Sequence, residues 1–191
     1  KHFTLLILVF TWPHSQAQQH LVIGAQSIDY FPHYNFNAKS DKGYAWAVLK
    51  SFAEQKGYQL TFVGLPIKRL QVELKKGSVD LAYPDNPKWS SPDTSGKHFS
   101  TPLTHAMGGT IVSKSIIGNG IDNIKTLSVP FGFSPVMWYD LIEQRKVRVV
   151  STPDARSALQ LVLMGRAQAA DVEYHVARYQ LRHSRHFAQL A

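Results

Sequence analysis

Few side chains in this chain of 191 residues have the types and spacing that covalent chemistry needs. The sequence has no cysteine, which excludes a thiol nucleophile, a thiolate metal site and a disulfide. No nucleophile stands in a recognisable spacing with a base and a residue to orient it. The candidates for a general acid are His33, His105 and Glu173. We therefore do not predict an enzyme.

A metal or cofactor site is not predicted either. His183 and His186 are three residues apart, a spacing that a metal ion could use. The stretch Arg182-His183-Ser184-Arg185-His186 contains no carboxylate or cysteine that would complete such a site. We expect neither a metal nor a cofactor.

The positive charge of the chain suggests nucleic acid at first, but its distribution argues against this. Lys and Arg number 21 and Asp and Glu 13, which gives a net charge of +8. The basic residues are spread from Lys39 to Arg185, and no basic strand with interleaved aromatic residues occurs. We expect no nucleic-acid partner and attribute the charge to solubility or mild attraction of anionic solutes.

The N-terminal segment has the features of an export signal. Lys1 and His2 precede an apolar run from Phe3 to Trp12, and Ser15-Gln16-Ala17 follows as a small-x-small cleavage pattern. The run is shorter than the roughly 20 apolar residues that span a bilayer. We predict a signal peptide over residues 1–17, export to a periplasm and no stable insertion in the membrane. Without cysteine, the mature chain would carry no lipid anchor.

Strand and helix patterns alternate over residues 21–113. Strands are predicted at 21–25, 58–63, 79–83 and 109–113, the last one leaving this first unit. Gly43 opens a helix that ends at Gly57, and Pro66 begins a second helix that ends at Gly77. The buried face predicted for the first helix consists of Ala45, Val48, Leu49 and Phe52.

The same alternation restarts after the break at Gly118-Asn119-Gly120. Strands are predicted at 127–131, 147–150 and 167–172, and a last helix at 174–183. Ser134-Pro135 and Thr152-Pro153 each place a hydroxyl before a proline, which is typical of a helix start. The fold class predicted is α/β with two lobes, each a mainly parallel sheet flanked by helices. We assign residues 18–114 to the first lobe and 115–191 to the second.

Several segments resemble, in the right order, the periplasmic solute-binding proteins of polar amino-acid ABC transporters. They are Asp29-Tyr30-Phe31-Pro32, Gly43-Tyr44, Leu65-Pro66-Ile67-Lys68-Arg69, Leu74 to Asp80, Phe99-Ser100-Thr101-Pro102-Leu103, and Ala158 to Arg166. The resemblance covers about residues 20–185. It implies a two-lobed type II binding-protein fold that closes on a small solute.

The sequence also departs from the pattern of that family. Ala45 stands where the family has an Asp after its Gly-aromatic pair, and Gln168 replaces the Asp of its last strand. The Arg that grips a ligand carboxylate is absent from residues 84–89, where Lys88 is the one cation. The acid that meets a ligand amino group aligns with Glu173. The family's chain also returns to the first lobe, so we expect this chain to be truncated after Ala191.

Residues that follow the strands are the candidate ligand contacts, because open α/β sheets bind ligands beyond the carboxyl ends of their strands. Aromatic rings could stack on a solute, and Gly108 could let a solute approach the backbone closely. Phe133-Ser134 could offer an anion site at a helix start. The predicted ligand-binding residues are Tyr30, Phe31, Tyr83, Asp85, Asn86, Lys88, Trp89, Met107, Gly108, Thr110, Phe133, Ser134 and Glu173.

The function predicted is that of an exported receptor, monomeric, that captures a small polar or anionic solute and delivers it to an inner-membrane ABC permease. Two alternatives stay open. One is a periplasmic sensor or input module, and the other is an enzyme similar to cyclohexadienyl dehydratase, because one fold can carry different functions.

Overall fold

The computed structural model describes residues 19–89 and 96–184. The predicted signal peptide at 1–17, part of the loop at 84–97 and the end of the chain after Ser184 lie outside these residues. Among the helices of the described part, none is long and apolar enough to cross a membrane.

The first sheet has three parallel strands in the order β2-β1-β3. Its elements are β1 (His20–Gln26), α1 (Tyr44–Lys56), β2 (Gln59–Leu65), α2 (Ile67–Lys76) and β3 (Leu81–Tyr83). Both helices end at a glycine in the left-handed conformation, Gly57 at φ 72° and Gly77 at φ 72°, as the sequence predicts. The β–α–β crossovers therefore place the carboxyl ends of all three strands on one edge of this sheet.

The buried face of α1 differs in part from the prediction. Ala45, Leu49 and Ala53 are buried, whereas Phe52 is 40% exposed. The buried residues recur every four positions and form one stripe, and Phe52 lies beside that stripe. Its ring contacts Tyr58 at a centroid distance of 6.0 Å instead of entering the core.

The second sheet has four strands in the order β4-β7-β5-β6. Its elements are β4 (Thr110–Val112), β5 (Thr126–Pro130), α3 (Tyr139–Glu143), β6 (Arg148–Thr152), α4 (Ala155–Leu163), β7 (Ala169–Asp171) and α5 (Tyr174–His183). β5 runs parallel to β6 and β7, and β4 runs antiparallel to β7. Two α/β units with mainly parallel sheets are thus confirmed.

The strand β4 belongs to the second sheet. Thr110 pairs with Asp171 and Val112 with Ala169. The sequence prediction placed this segment in the first unit, because a strand pattern does not show which sheet its partner belongs to. The chain passes from the first sheet to the second before Thr110.

Two helix starts differ from their predictions. Pro135 has φ −76° and ψ 69°, so no helix begins there; a 3-10 turn at Val136–Trp138 precedes α3. At α4 the cap is Asp154, whose Oδ1 accepts a hydrogen bond of 2.7 Å from the amide of Ser157. The Thr152 hydroxyl donates instead to the carbonyl of Asp154 at 3.1 Å. A carboxylate one residue past the proline replaces the predicted hydroxyl cap.

One hydrophobic cluster joins the two units. Tyr30, Tyr34 and Ala45 of the first unit share it with buried residues of the second, Ala155, Ala158, Leu159, Val162, Ala167, Ala170, Val172, Val176 and Ala177. A second cluster, which includes Leu127, Trp138 and Ala169, lies within the second unit. The loop after β1 is therefore part of a core that the helices α4 and α5 complete.

Candidate functional site

The loops that follow β1 and β5 meet across the two sheets. The side-chain amide of Gln26, at the end of β1, donates a 3.0 Å hydrogen bond to the carbonyl of Phe131 just after β5. The ring of Tyr30 packs against that of Phe133 at a centroid distance of 4.9 Å. This is the place where open α/β sheets bind ligands.

Tyr30 and Phe133 form the aromatic contact at this junction. Tyr30 is buried, and its ring also contacts His33 and Tyr34 at centroid distances of 5.8 and 5.6 Å. Burial, together with the negative charges of Glu173 and Asp171, raises the pKa of the Tyr30 phenol. The phenol therefore stays protonated and can donate a hydrogen bond at neutral pH.

Gly132 lets the second loop approach the first unit closely. Its φ is +81°, and a Cβ built there would lie 2.4 Å from Cγ2 of Ile67, the first residue of α2. Only a residue without a side chain fits this position without displacing Ile67. The approach brings the Phe131–Phe133 turn against both β1 and α2.

Glu173, the predicted ligand acid, is held by three donors of the protein. Its Oε2 accepts from Nε2 of His33 and the amide of Val176, each at 2.9 Å, and Oε1 accepts from the amide of Met107 at 3.1 Å. Burial raises the pKa of this carboxyl, but the hydrogen bonds from His33, Val176 and Met107 outweigh it and the net pKa is lowered. The carboxylate caps α5 and fastens two other chain segments.

His33 is the partner that the sequence reading underestimated. The prediction treats it as a candidate acid or an ordinary surface histidine. Its side chain is 13% exposed and forms an ion pair with Glu173 at 2.9 Å when protonated. The neighbouring aromatic residues in the sequence, Tyr30 and Tyr34 above all, could have indicated that this turn is packed and not solvated. His105, the other candidate acid, is exposed.

The segment before β4 contacts Glu173 through the amide of Met107, one of the residues predicted to bind a ligand. Besides its amide bond to Glu173, Met107 accepts a 2.9 Å hydrogen bond from the amide of Tyr174, and its side chain is 55% exposed. A Cβ at Gly108 would meet Met137 at 3.9 Å, which is an ordinary contact. The glycine is therefore tolerated here rather than required.

Asp171 is an acid near the junction that is not among the predicted ligand-binding residues. It ends β7 opposite Thr110. No hydrogen bond or ion pair connects its carboxylate to any part of the chain that the structure describes. Burial without a counter-charge raises its pKa to about 6. Asp171 is thus a half-buried acid without a counter-charge among the described residues.

The loop after β3 is organised by Asp85. Its Oδ2 lies 3.5 Å from Nζ of Lys97, and Oδ1 accepts a 2.8 Å bond from the amide of Asn86. Lys97 also bonds the side chain of Gln71 on α2. The sequence pattern did not indicate Lys97, because it is 12 residues away at the far end of a Pro-rich loop.

The remaining residues of that loop have different surroundings. The ring of Tyr83 packs edge-on against Tyr34 at 5.8 Å, and burial raises the pKa of its phenol. Asn86 Oδ1 accepts from the amide of Lys88 at 2.9 Å. The side chains of Lys88 and Trp89 are exposed, Trp89 by 37%.

Two predicted residues do not have the predicted geometry. Phe31 faces α5, where its ring lies 4.7 Å from that of Tyr179, while its neighbour Tyr30 faces Phe133. The carbonyl of Ser134 accepts a hydrogen bond from the amide of Val136 at 2.8 Å at the start of the 3-10 turn. No α-helix begins at Pro135, because α3 begins at Tyr139, and the anion site at Phe133-Ser134 stays a prediction.

Within the described residues, no group of three or more His, Asp or Glu side chains is placed to hold a metal ion. His183 lies at the end of α5, and His186 lies outside the described residues.

No protein-family model matches the chain, and no curated protein matches it in sequence. Solved structures do match in fold. An arginine transport-system periplasmic binding protein from Legionella pneumophila aligns with TM-score 0.67 and 19% identity over 90% of this chain and 76% of its own. The chain has the fold of the periplasmic solute-binding proteins of amino-acid ABC transporters.

Two other solved structures share this binding-protein fold. The ancestral amino acid-binding protein AncCDT-1, a precursor of cyclohexadienyl dehydratase, has TM-score 0.68 and 20% identity over 86% of this chain and 75% of its own. A histidine kinase sensor domain has TM-score 0.69 and 22% identity over 86% and 73%. Most of the similar structures are binding proteins and not enzymes.

Proposed function

We propose that this protein is a periplasmic receptor that binds a small polar or anionic solute between its two lobes and delivers it to an ABC permease. The observation that carries the proposal is the meeting of the loops after β1 and β5, where Gln26 bonds Phe131 and Tyr30 packs on Phe133. A solute at this junction would contact both lobes, and its binding free energy would favour their closure. The transporter-associated relatives in fold support this role.

The solute would contact aromatic rings and backbone groups rather than form strong salt bridges with the protein. Tyr30, Tyr83 and Phe133 offer apolar faces, and Met107, Gly108 and Thr110 offer backbone at the crossing between the sheets. The carboxylate of Glu173 is already occupied by three protein donors. The carboxylate of Asp85 is likewise already paired, with Lys97. The protein acts as a monomer that contacts its permease transiently.

We expect ordinary α-amino acids to bind weakly or not at all. Residues 84–89 hold no arginine, and a lysine such as the exposed Lys88 cannot grip a carboxylate with two parallel hydrogen bonds. Isothermal titration calorimetry with a set of common amino acids checks this expectation. Micromolar affinity for several of them would contradict it.

The test of the receptor role is a thermal-shift screen against small metabolites, followed by calorimetry. A bound solute raises the melting temperature in proportion to the logarithm of its concentration over Kd. Substitution of Phe133 by alanine should abolish the shift, whereas substitution of the exposed Arg166, in the turn after α4, should leave it unchanged. A hit that both variants retain would place the solute elsewhere.

A sensor or input role is the second candidate, and the similar kinase sensor domain favours it. The two roles differ in the partner and not in the site. Pull-down of the solute-loaded protein with a permease would support transport, and pull-down with a sensor kinase would support signalling.

A dehydratase-like reaction is the third candidate, suggested by the similar dehydratase precursor. A prephenate-like compound that the protein turns over, with turnover lost in Glu173→Gln, would favour it. The three hydrogen bonds that already hold Glu173 speak against such a role for this carboxylate.

A further inference from the structure

An open surface cavity, lined mostly by exposed side chains, lies on the outer side of the turn that carries Tyr30. It has a volume of about 250 Å³ and is lined by Pro32, His175, Arg178, Tyr179, Arg182 and His183. All but Pro32 come from α5. Because Phe31 faces α5 and Tyr30 faces Phe133, this α5 cavity and the junction between the lobes lie on different sides of one turn.

The α5 cavity has an excess of positive charge. Its lining includes two arginines and two histidines and no carboxylate. None of the ion pairs among the described residues involves Arg178 or Arg182. Cations at neighbouring positions on one helix face repel each other, which costs a few tenths of a kcal/mol per pair. An anion in the cavity would remove this repulsion.

The helix dipole explains part of this charge only. Cations in the last turn of a helix are stabilised by its negative end, which accounts for Arg182 and His183. His175 and Arg178 lie in the first half of α5, where the dipole gives them no such stabilisation. Interaction with the helix dipole therefore does not explain why His175 and Arg178 line the cavity.

The lining is held in place by local contacts. The rings of Tyr179 and His183 stack at 4.1 Å, and Nδ1 of His183 donates a 2.9 Å hydrogen bond to the carbonyl of Tyr179. Nε2 of His183 is thus the nitrogen left for a ligand. Arg178 donates a 3.0 Å bond to the hydroxyl of Tyr174, which orients its guanidinium and leaves its other donors available.

We propose that the α5 cavity binds a phosphate group, either as inorganic phosphate or as the monoester of a small solute. The guanidinium groups of Arg178 and Arg182 are forked donors that match phosphate oxygens. The ring of Tyr179 and Pro32 offer an apolar face to the organic part of a monoester. The volume is below the roughly 300–1,000 Å³ of pockets for drug-sized ligands, so the occupant is small. This inference does not depend on the proposed receptor function.

The test is an NMR titration of the ¹⁵N-labelled full chain with sodium phosphate at constant ionic strength, with chloride as the counterpart. We expect saturable shifts of the α5 amides with phosphate and none with chloride. The double variant Arg178→Gln/Arg182→Gln should weaken binding at least tenfold, and Arg166→Gln, an exposed arginine away from α5, by less than twofold. Equal shifts with phosphate and chloride, or the same affinity in the double variant, would overturn the proposal.

Two further measurements make the result specific. If the double variant does not fold, the single variants should each weaken binding about threefold or more, and unchanged affinity in both would overturn the proposal. A parallel titration with glycerol phosphate separates the two sources. Tighter binding than inorganic phosphate identifies a monoester as the ligand, and equal binding identifies free phosphate.

Discussion

Two acids at the end of β7 show how strongly a residue's role depends on its neighbours. Glu173 receives hydrogen bonds from three chain segments, and its pKa is lowered. Asp171, two positions earlier, has no partner among the described residues, and its pKa is raised to about 6. The sequence shows two acids near a strand end. It could not show that a histidine 140 residues away would pair with one of them.

Removal of the His33 side chain should destabilise the protein. His33→Ala leaves a buried carboxylate with one partner fewer, which costs about 3 kcal/mol for a pair of this kind. The free energy of unfolding in urea measures the loss. His105→Ala is the matched control, because His105 is an exposed histidine.

The same pair sets the response to acid. A carboxyl whose folded pKa is lowered contributes stability that is present above its unfolded pKa of about 4.3 and is lost as the pH falls through the folded value. In His33→Ala the acid limb of the stability curve should move to higher pH. Coinciding acid limbs for His33→Ala and His105→Ala would show that His33 does not hold the Glu173 pKa down.

Asp171 should have the opposite effect on stability. Because its folded pKa of about 6 exceeds the unfolded value, its contribution is favourable below the unfolded pKa and is lost as the pH rises through 6. Asp171→Asn should therefore stabilise the unliganded protein at pH 7, by about 1 kcal/mol after allowance for solvent screening. Melting temperatures at pH 5 and pH 7 measure this: the gain should be present at pH 7 and smaller at pH 5. A loss of stability at pH 7 would reveal a partner for this carboxylate.

At the level of elements, glycines predicted the ends of the first two helices well. Prolines did not predict which side chain caps a helix. Gly57 and Gly77 end their helices because each must adopt a left-handed conformation there. The hydroxyl-proline pairs were less informative. Asp154 competes with Thr152 for the cap of α4, and Pro135 adopts a ψ that no helix uses. Strand patterns gave the position of β4 but not its sheet, because pairing is a long-range property.

Gly132 is the element-level feature that invites a test. In Gly132→Ala the new Cβ would lie 2.4 Å from Ile67 Cγ2, and alanine would also be strained at φ +81°. We expect a loss of about 2–4 kcal/mol from both causes together. Chemical denaturation measures it.

Gly165→Ala separates the two causes. Gly165 has φ +66° and nothing within 4 Å of a built Cβ, so it reports the backbone strain alone, about 1–2 kcal/mol. The difference between the two variants measures the approach of the Phe131–Phe133 turn to α2. Equal losses would mean that Ile67 moves aside freely.

At the level of the whole molecule, the two-lobed α/β fold was predictable because both halves repeat the same alternation of strands and helices. The junction between the lobes was only partly predictable. Tyr30, Phe133 and Glu173 follow strands, Met107 precedes β4, and these residues do come together in two contacts, Tyr30 with Phe133 and Met107 with Glu173. Phe31 was predicted beside Tyr30, but adjacent residues in a turn face different ways, and its ring packs on α5.

A double-mutant cycle should measure how the lobes hold each other. Tyr30→Leu and Phe133→Leu remove the ring pair one side at a time, and an aromatic pair is worth roughly 0.5–1.5 kcal/mol beyond its buried area. We expect a coupling energy in this range from urea unfolding. A cycle of Tyr30→Leu with Leu141→Ala, a residue of α3 outside the cluster that contains Tyr30, should show a coupling near zero. Equal couplings in both cycles would contradict the direct contact.

The carboxylate of Glu173 has a consequence for the order of folding. Its three donors come from residues 33, 107 and 176, so its environment is complete only when the loop after β1, the crossing segment and α5 have all assembled. Contacts that close such long loops form late, and we expect low φ-values for His33 and Met107 in the folding transition state. Once formed, they couple the unfolding of the two lobes, because neither lobe can unfold alone without leaving a buried charge with fewer partners. The protein should accordingly unfold in one cooperative step.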